Sequence, residues 1–139
     1  MDSVSPEKRS RIMSRIRGKN TKPELAVRKI AHALGFRFRL HRRDLPGSPD
    51  LVFPRLRKVI FVHGCFWHRH QGCRFAYTPK SNTDFWMSKL EANIRRDASA
   101  CVALQNAGWD ILVVWECEIA DTPKLSQKLR TFLESASSR

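Results

Sequence analysis

The chain predicts an α/β domain, a central mixed β-sheet flanked by helices, and three observations carry that expectation. Two short apolar runs, Leu51 to Phe53 and Lys58 to Val62, are separated by the turn-rich Pro54-Arg55-Leu56-Arg57 and read as an antiparallel hairpin. A long amphipathic stretch after Thr83 leads into the continuous apolar run Trp109 to Trp115 (WDILVVW), the mark of a strand covered on both faces. Strand, helix and strand in that order make a right-handed parallel crossover, so the strands ending at Val62 and Trp115 should be neighbours with their carboxyl ends on one side.

Each element has its own local reason. Residues 6–19 place Ile12, Met13 and Ile16 on one face among arginines, a short basic helix or arm, so residues 1–20 are set apart from a single domain over 21–139. Thr21 as N-cap, Pro23 in the first turn, Glu24 closing a capping box and Gly35 as a stop predict a helix over 22–34. FRFRL, residues 36–40, alternates apolar and basic as a half-buried strand does. In the hairpin, a turn centred between Arg55 and Leu56 pairs residue 53 with 58 and sets Asp50 opposite Phe61 or Val62, at the doorstep of His63. Thr83 can cap a helix running to about Asn106, with Phe85, Met87, Leu90, Ile94, Ala98, Cys101 and Leu104 as its apolar stripe. Trp109 and Trp115 are read as core, and a last helix spans Pro123 to Glu134.

Charge points to the partner. The 139 residues hold 26 Lys and Arg against 13 Asp and Glu, a formal charge of +13, which suits a polyanion. Up to Arg43 there are thirteen basic residues and three acidic ones (Asp2, Glu7, Glu24), so the amino-terminal third is the expected phosphate-facing surface, with Arg11, Arg15, Arg17 and Lys19 on its arm. No apolar run approaches the roughly 20 residues of a membrane span, and the first residues lack the apolar core of a secretory signal, so a soluble, cytosolic protein is expected.

The chemistry concentrates in one loop, HGCFWHRHQGC from His63 to Cys73, with two thiols, three imidazoles and a Phe-Trp pair. Cys65, His70 and Cys73 have the short spacing of zinc ligands. Cys117, which follows the neighbouring strand, supplies the fourth of a tetrahedral structural site. A buried small hydrophobe is the competing reading of Cys117, and core packing is the better one for Cys101. His63 and His68 remain as imidazoles able to move a proton, and Asp50 opposite them makes a pair able to hydrolyse a phosphodiester with a hard cation. Asn93 and Asp97 share a helix face and either can orient an imidazole, against the plainer reading of a solvated polar face. Phe66 and Trp67 cannot both point inward from an extended loop, so at least one should be exposed to stack on bases, joined by Trp86, against the plainer reading that Phe66 packs inside and Trp86 caps a hydrophobic cluster.

Taken together, LPGSPD (45–50), VIFVHGCFWHRHQGC (59–73), the FW at 85–86, NIRRD (93–97) and GWDILVVWEC (108–117) resemble the very short patch repair (Vsr) mismatch endonucleases. The resemblance implies a restriction-endonuclease-like fold. It also implies a magnesium-dependent nick in duplex DNA, 5′ of the thymine of a T:G mismatch left by deamination of 5-methylcytosine. It implies that Asp50 and the main-chain carbonyl of Val62 carry magnesium, that His68 is the general base, and that His63 and Asp97 complete the site. Phe66, Trp67 and Trp86 would form a wedge beside the mismatch, the basic arm would clasp the duplex, and Glu24 would lie near the metal waters while also capping its helix. The E-x-K signature of the wider nuclease superfamily is replaced here by Phe61-Val62-His63. The expected protein acts as a monomer at the bacterial nucleoid, with mismatch-repair proteins as further partners. Rival readings are a non-catalytic zinc-containing DNA-binding module and a structure-specific nuclease of other specificity.

Overall fold

A computed structural model describes residues 21–136, so the basic arm over 1–20, with Arg11, Arg15, Arg17 and Lys19, lies outside the described residues. The elements are α1 (Lys22–Ala33), β1 (Arg39–Leu40), β2 (Leu51–Phe53), β3 (Lys58–His63), α2 (Thr83–Asn106), β4 (Asp110–Trp115), a 3₁₀ turn (Glu116–Ala120) and α3 (Thr122–Glu134). The sheet runs β1-β2-β3-β4, antiparallel at its first two junctions and parallel at β3 and β4. The mixed α/β architecture expected from the apolar runs is therefore present.

The hairpin register is the expected one. Phe53 pairs with Lys58 and Leu51 with Ile60, across a turn in which Leu56 N–H donates to the Phe53 carbonyl and Arg57 takes a positive φ of 56°. One step further, Asp50 falls opposite Phe61. In the parallel pair, His63 lies beside Trp115, so the two strands end together. That coincidence of ends places the His63–Cys73 loop against the segment after β4.

Period-two alternation along β3 splits the core into two clusters. Ile60 joins Leu51, Phe53, Val114 and the inward faces of α1 and α3 (Val27, Ala31, Leu125, Leu129, Leu133). Val59 and Phe61 pack on the other side with Val52, Trp109 and Leu104 of α2. Each such aliphatic side chain taken out of water stabilises the fold by about 1.5–3 kcal/mol. Lys58, only 1% exposed, starts β3 and sends its ammonium to the end of α3. There Nζ donates to the carbonyls of Phe132 (2.5 Å) and Ser135 (2.6 Å) and to Ser135 Oγ (2.9 Å), a cation at a helix carboxyl end.

Several expectations are corrected. The strand at 36–40 shrinks to Arg39–Leu40, because β2 is three residues long and offers few partners. Phe36 and Phe38 still point inward and meet Phe53 edge-on at centroid distances of 6.5 and 5.8 Å. Thr21 caps α1 by accepting from Glu24 N–H. The capping box stays open, since the Glu24 carboxylate is drawn to Arg28 and His41 instead. Asn82, at φ 53°, and not Thr83 is the N-cap of α2; the Thr83 hydroxyl is spent on the Pro79 carbonyl. Along α2 only Leu90 and Leu104 are buried, and Phe85 and Ile94 are exposed, because the middle of the helix faces a cleft and not the core. Cys101 is accordingly half-buried on that cleft. β4 is an edge strand with one fully buried residue, Val114, so the expectation of two covered faces fails. Trp109 is core at 5% exposure, whereas Trp115 belongs to the site described next.

Candidate active site and metal centre

A cavity of about 780 Å³ opens where β3 ends, walled by the start of α1, the segment carrying Asp50, and the middle of α2. Gly47 lets the Asp50 segment approach α2: at φ 74°, a Cβ there would come within 2.8 Å of Ala100 Cβ and 3.1 Å of Phe61. Asp50 Oδ2 accepts from the Val62 N–H at 2.7 Å, locking the carboxylate to the end of β3. Burial, opposed by that amide and reinforced by neighbouring Glu24, pushes the Asp50 carboxyl up to about 6. Glu24 is itself 2% exposed, with Arg28 Nη2 and His41 Nε2 (2.8 Å) both on its Oε2. The His41 ring nitrogen and the Glu24 and Asp50 carboxylate oxygens lie within 4.8 Å of one another, and the two carboxylates are compatible with a shared cation.

Opposite them, His68 Nδ1 and Asp97 Oδ2 are 2.6 Å apart. A carboxylate accepts, so Nδ1 carries a proton, and in the neutral ring Nε2 then holds the lone pair. His63 stacks on His68 with ring centroids 3.8 Å apart and planes 7° from parallel. Burial first, and the His68 charge second, push His63 down to about 4, so it stays neutral near pH 7. Of the two helical candidates, Asp97 is thus the one that meets an imidazole; Asn93 Nδ2 donates to the Trp67 carbonyl and holds the loop instead.

The loop turns away from this cavity to make a second centre. His68 N–H donates to Gly64 O, and His70 N–H to Cys65 O, so successive turns fold the chain back on itself. Cys65, His70, Cys73 and Cys117 converge with donor atoms within 4.8 Å, and His70 Nδ1 is 3.6 Å from Cys65 Sγ and 3.5 Å from Cys117 Sγ. The Cys/His cluster can therefore hold a metal ion. Burial pushes the Cys65 thiol up to about 12, so a cation is needed to hold it as thiolate.

Phe66, Trp67 and Trp86 form one aromatic group with centroids 5.1 to 5.8 Å apart. Neither Phe66 nor Trp67 is exposed: Trp67 is 8% accessible and Phe66 half-buried. The expectation of an exposed member presumed an extended loop, and the tight turns remove that premise. Tyr77, 5.0 Å from Phe66, and Phe85, 5.4 Å from Trp86, form the exposed margin of the group.

A family model described as DNA mismatch endonuclease Vsr matches residues 1–74, more than half the chain and all of the segment from Asp50 through Cys73. The chain belongs to the Vsr DNA mismatch endonuclease family. Relatives extend the match over the rest. The Type II nicking enzyme V.XorIIP of Xanthomonas oryzae pv. oryzae is 53% identical over 133 residues, covering 96% of this chain and 97% of the relative. The Type II nicking enzyme V.NmeAIP of Neisseria meningitidis is 41% identical, covering 92% and 91%. The DNA mismatch endonuclease Vsr of Escherichia coli is 38% identical, covering 88% and 78%. As a Vsr-family endonuclease, the chain has the restriction-endonuclease-like fold, and its sheet holds the site at the carboxyl ends of β3 and β4.

Three neighbours of this Vsr-family site escaped the sequence reading. Glu116 Oε1 accepts from the Cys65 N–H at 2.9 Å, tying the loop to the segment after β4. Trp115 stacks on His70 (4.2 Å, 8°) and meets His63 edge-on at 5.2 Å, a role hidden by its membership of an apolar run. His41 is the third, and its flanking Arg42 and Arg43 made it look like part of a charge run.

Proposed function

We propose that this chain nicks duplex DNA on the 5′ side of the thymine in T:G mismatches left by 5-methylcytosine deamination, through magnesium-dependent phosphodiester hydrolysis. The observation that carries the reading is the meeting of Asp50 with the His68–Asp97 pair across one cavity. His68 Nε2, free while Nδ1 is held by Asp97, takes the proton of the attacking water, and Asp97 steadies the resulting imidazolium. His63, neutral and stacked, keeps the His68 ring in its plane without adding charge.

Asp50 would hold magnesium, with the Val62 carbonyl beside it: N–H and C=O of one strand residue leave on the same side, and the Val62 N–H already faces Asp50. Two buried carboxylates side by side, one with its proton held to about pH 6, are what a divalent cation neutralises, and Glu24 is placed to hold its waters. When bound, magnesium supplies Lewis-acid stabilisation of the charge on the phosphate and the leaving oxygen. Zinc suits the second centre. A tetrahedral ion with bonds of about 2.3 Å to sulfur and 2.0 Å to nitrogen sets a sulfur-to-nitrogen edge of about 3.5 Å. The two measured separations, 3.5 and 3.6 Å, meet that value. Phe66, Trp67 and Trp86 would probe the mismatch, and the basic arm with Arg11, Arg15, Arg17 and Lys19 would clasp the phosphates.

End-labelled T:G and T:A duplexes, incubated with and without magnesium, test this. The T:G strand alone should be nicked, only with the cation, and Asp50→Asn should abolish product while leaving binding to the T:G duplex. Product from both duplexes would replace the mismatch reading with a general structure-specific nuclease. Binding without product under every metal condition would leave a DNA-binding module.

A further inference from the structure

We infer that His41 is a positioning residue that sets the spacing of the two carboxylates at the cation site; this rests on the magnesium reading of Asp50. His41 follows β1 and reaches both carboxylate-bearing segments at once. Its backbone N–H donates to the Asp50 carbonyl at 3.2 Å, which extends the β1–β2 ladder by one residue and pins the stem of Asp50. Its ring Nε2 lies 2.8 Å from Glu24 Oε2, and the side chain is 13% exposed against 2% for Glu24. With a carboxylate as acceptor, Nε2 carries the proton and is a donor, so it has no lone pair on that atom to offer a cation. Its part is to hold a carboxylate that does.

Two features make the grip specific. The His41 backbone sits at φ 49°, the left-handed region that histidine enters more readily than branched residues, and that turn of the chain swings the ring from the sheet edge toward α1. Arg28, one helical turn beyond Glu24, reaches the same Oε2 from α1 itself, so that contact stays within one helix. His41 is the donor on Oε2 that comes from the strand side. Without it, this tie between the Glu24 carboxylate and the segment that carries Asp50 is lost, and residues that orient metal-binding groups in this way typically account for about 10–100-fold in metal affinity.

The test reads Mn²⁺ binding to the DNA-free full chain by electron paramagnetic resonance titration. His41→Ala should weaken binding by about 10–100-fold, and His41→Gln, whose amide can place a donor near the same point, should restore it to within about threefold of wild type. If His41→Ala does not fold, His41→Phe fills the space without a donor and takes its place. Wild-type affinity in the variant lacking a donor would overturn the assignment. So would equal loss in His41→Gln, because the imidazole would then be needed as a ligand. Asp50→Asn separates this from the underlying reading: unchanged Mn²⁺ binding there overturns both, whereas loss with Asp50→Asn but not with His41→Ala overturns only the role of His41.

Discussion

Asp50 and His63 face the same cavity with opposite proton balances. The Asp50 carboxyl is raised from 3.8 to about 6, so its proton stabilises the metal-free fold at acid pH, and that contribution is lost as pH rises through about 6. His63 is lowered from 6.5 to about 4, so its neutral form stabilises the fold above 6.5, and that contribution is lost as pH falls through about 4. The two slopes oppose each other in the wild type and separate in variants. Asp50→Asn, which keeps an acceptor for the Val62 N–H, should raise metal-free stability at pH 7 by about 2–3 kcal/mol, a shift of about two units at 1.36 kcal/mol each. The gain should vanish near pH 4, and urea titrations at the two pH values check it. At this scale the sequence was informative where residues are close along the chain or set by register: Asp50 beside Val62, and the ligand trio of the loop. His41 and Glu116 were not legible, because their partners come from segments brought together only by the tertiary fold.

Among the elements, β3 carries the most connections. Its first residue, Lys58, ties the end of α3, and its last residues open the site. Lys58→Met keeps the apolar stem but leaves the carbonyls of Phe132 and Ser135 without their buried cation, and should cost about 1–3 kcal/mol, read as a lower urea midpoint. Helix limits and hairpin register were readable since caps, glycine stops and alternating faces act locally. The stripe on α2 misled because a helix lining a cleft need not bury its apolar face. Asn93, Arg96, Asp97 and Cys101 line the cavity, while Ile94 and Phe85 remain in water. The shortness of β1 was equally invisible, since it is set by the length of its partner and not by its own alternation.

For the whole molecule, the junction between antiparallel and parallel pairing organises both centres. The antiparallel side delivers Asp50 to the end of β3, and the parallel side delivers Cys117 to the loop that follows β3. Removing metal from the Cys/His cluster should therefore disturb more than a loop. Stripping with a strong chelator should lower the melting temperature by at least about 2–4 °C, the shift expected for a loss of 1 kcal/mol or more in a domain of about 150 residues. Cys117→Ser should reproduce that loss without chelator, and scanning calorimetry with metal analysis of the same samples reads both. An unchanged melting point in metal-depleted protein would show that the cluster does not stabilise the fold. That the two centres share one junction follows from the parallel crossover, and the hairpin register, which brings Asp50 to His63, already divides the loop between them.

One indole touches both centres. Trp115 lies flat against His70 on the thiol side and meets His63 at a steep angle on the side of Asp50. Five histidines in so small a chain, three of them in one loop, invite an ion to settle among the wrong nitrogens. A side chain rooted in β4 packs against one imidazole of each centre. A change at that indole is therefore felt at His70 on the metal side and at His63 on the side of the cavity.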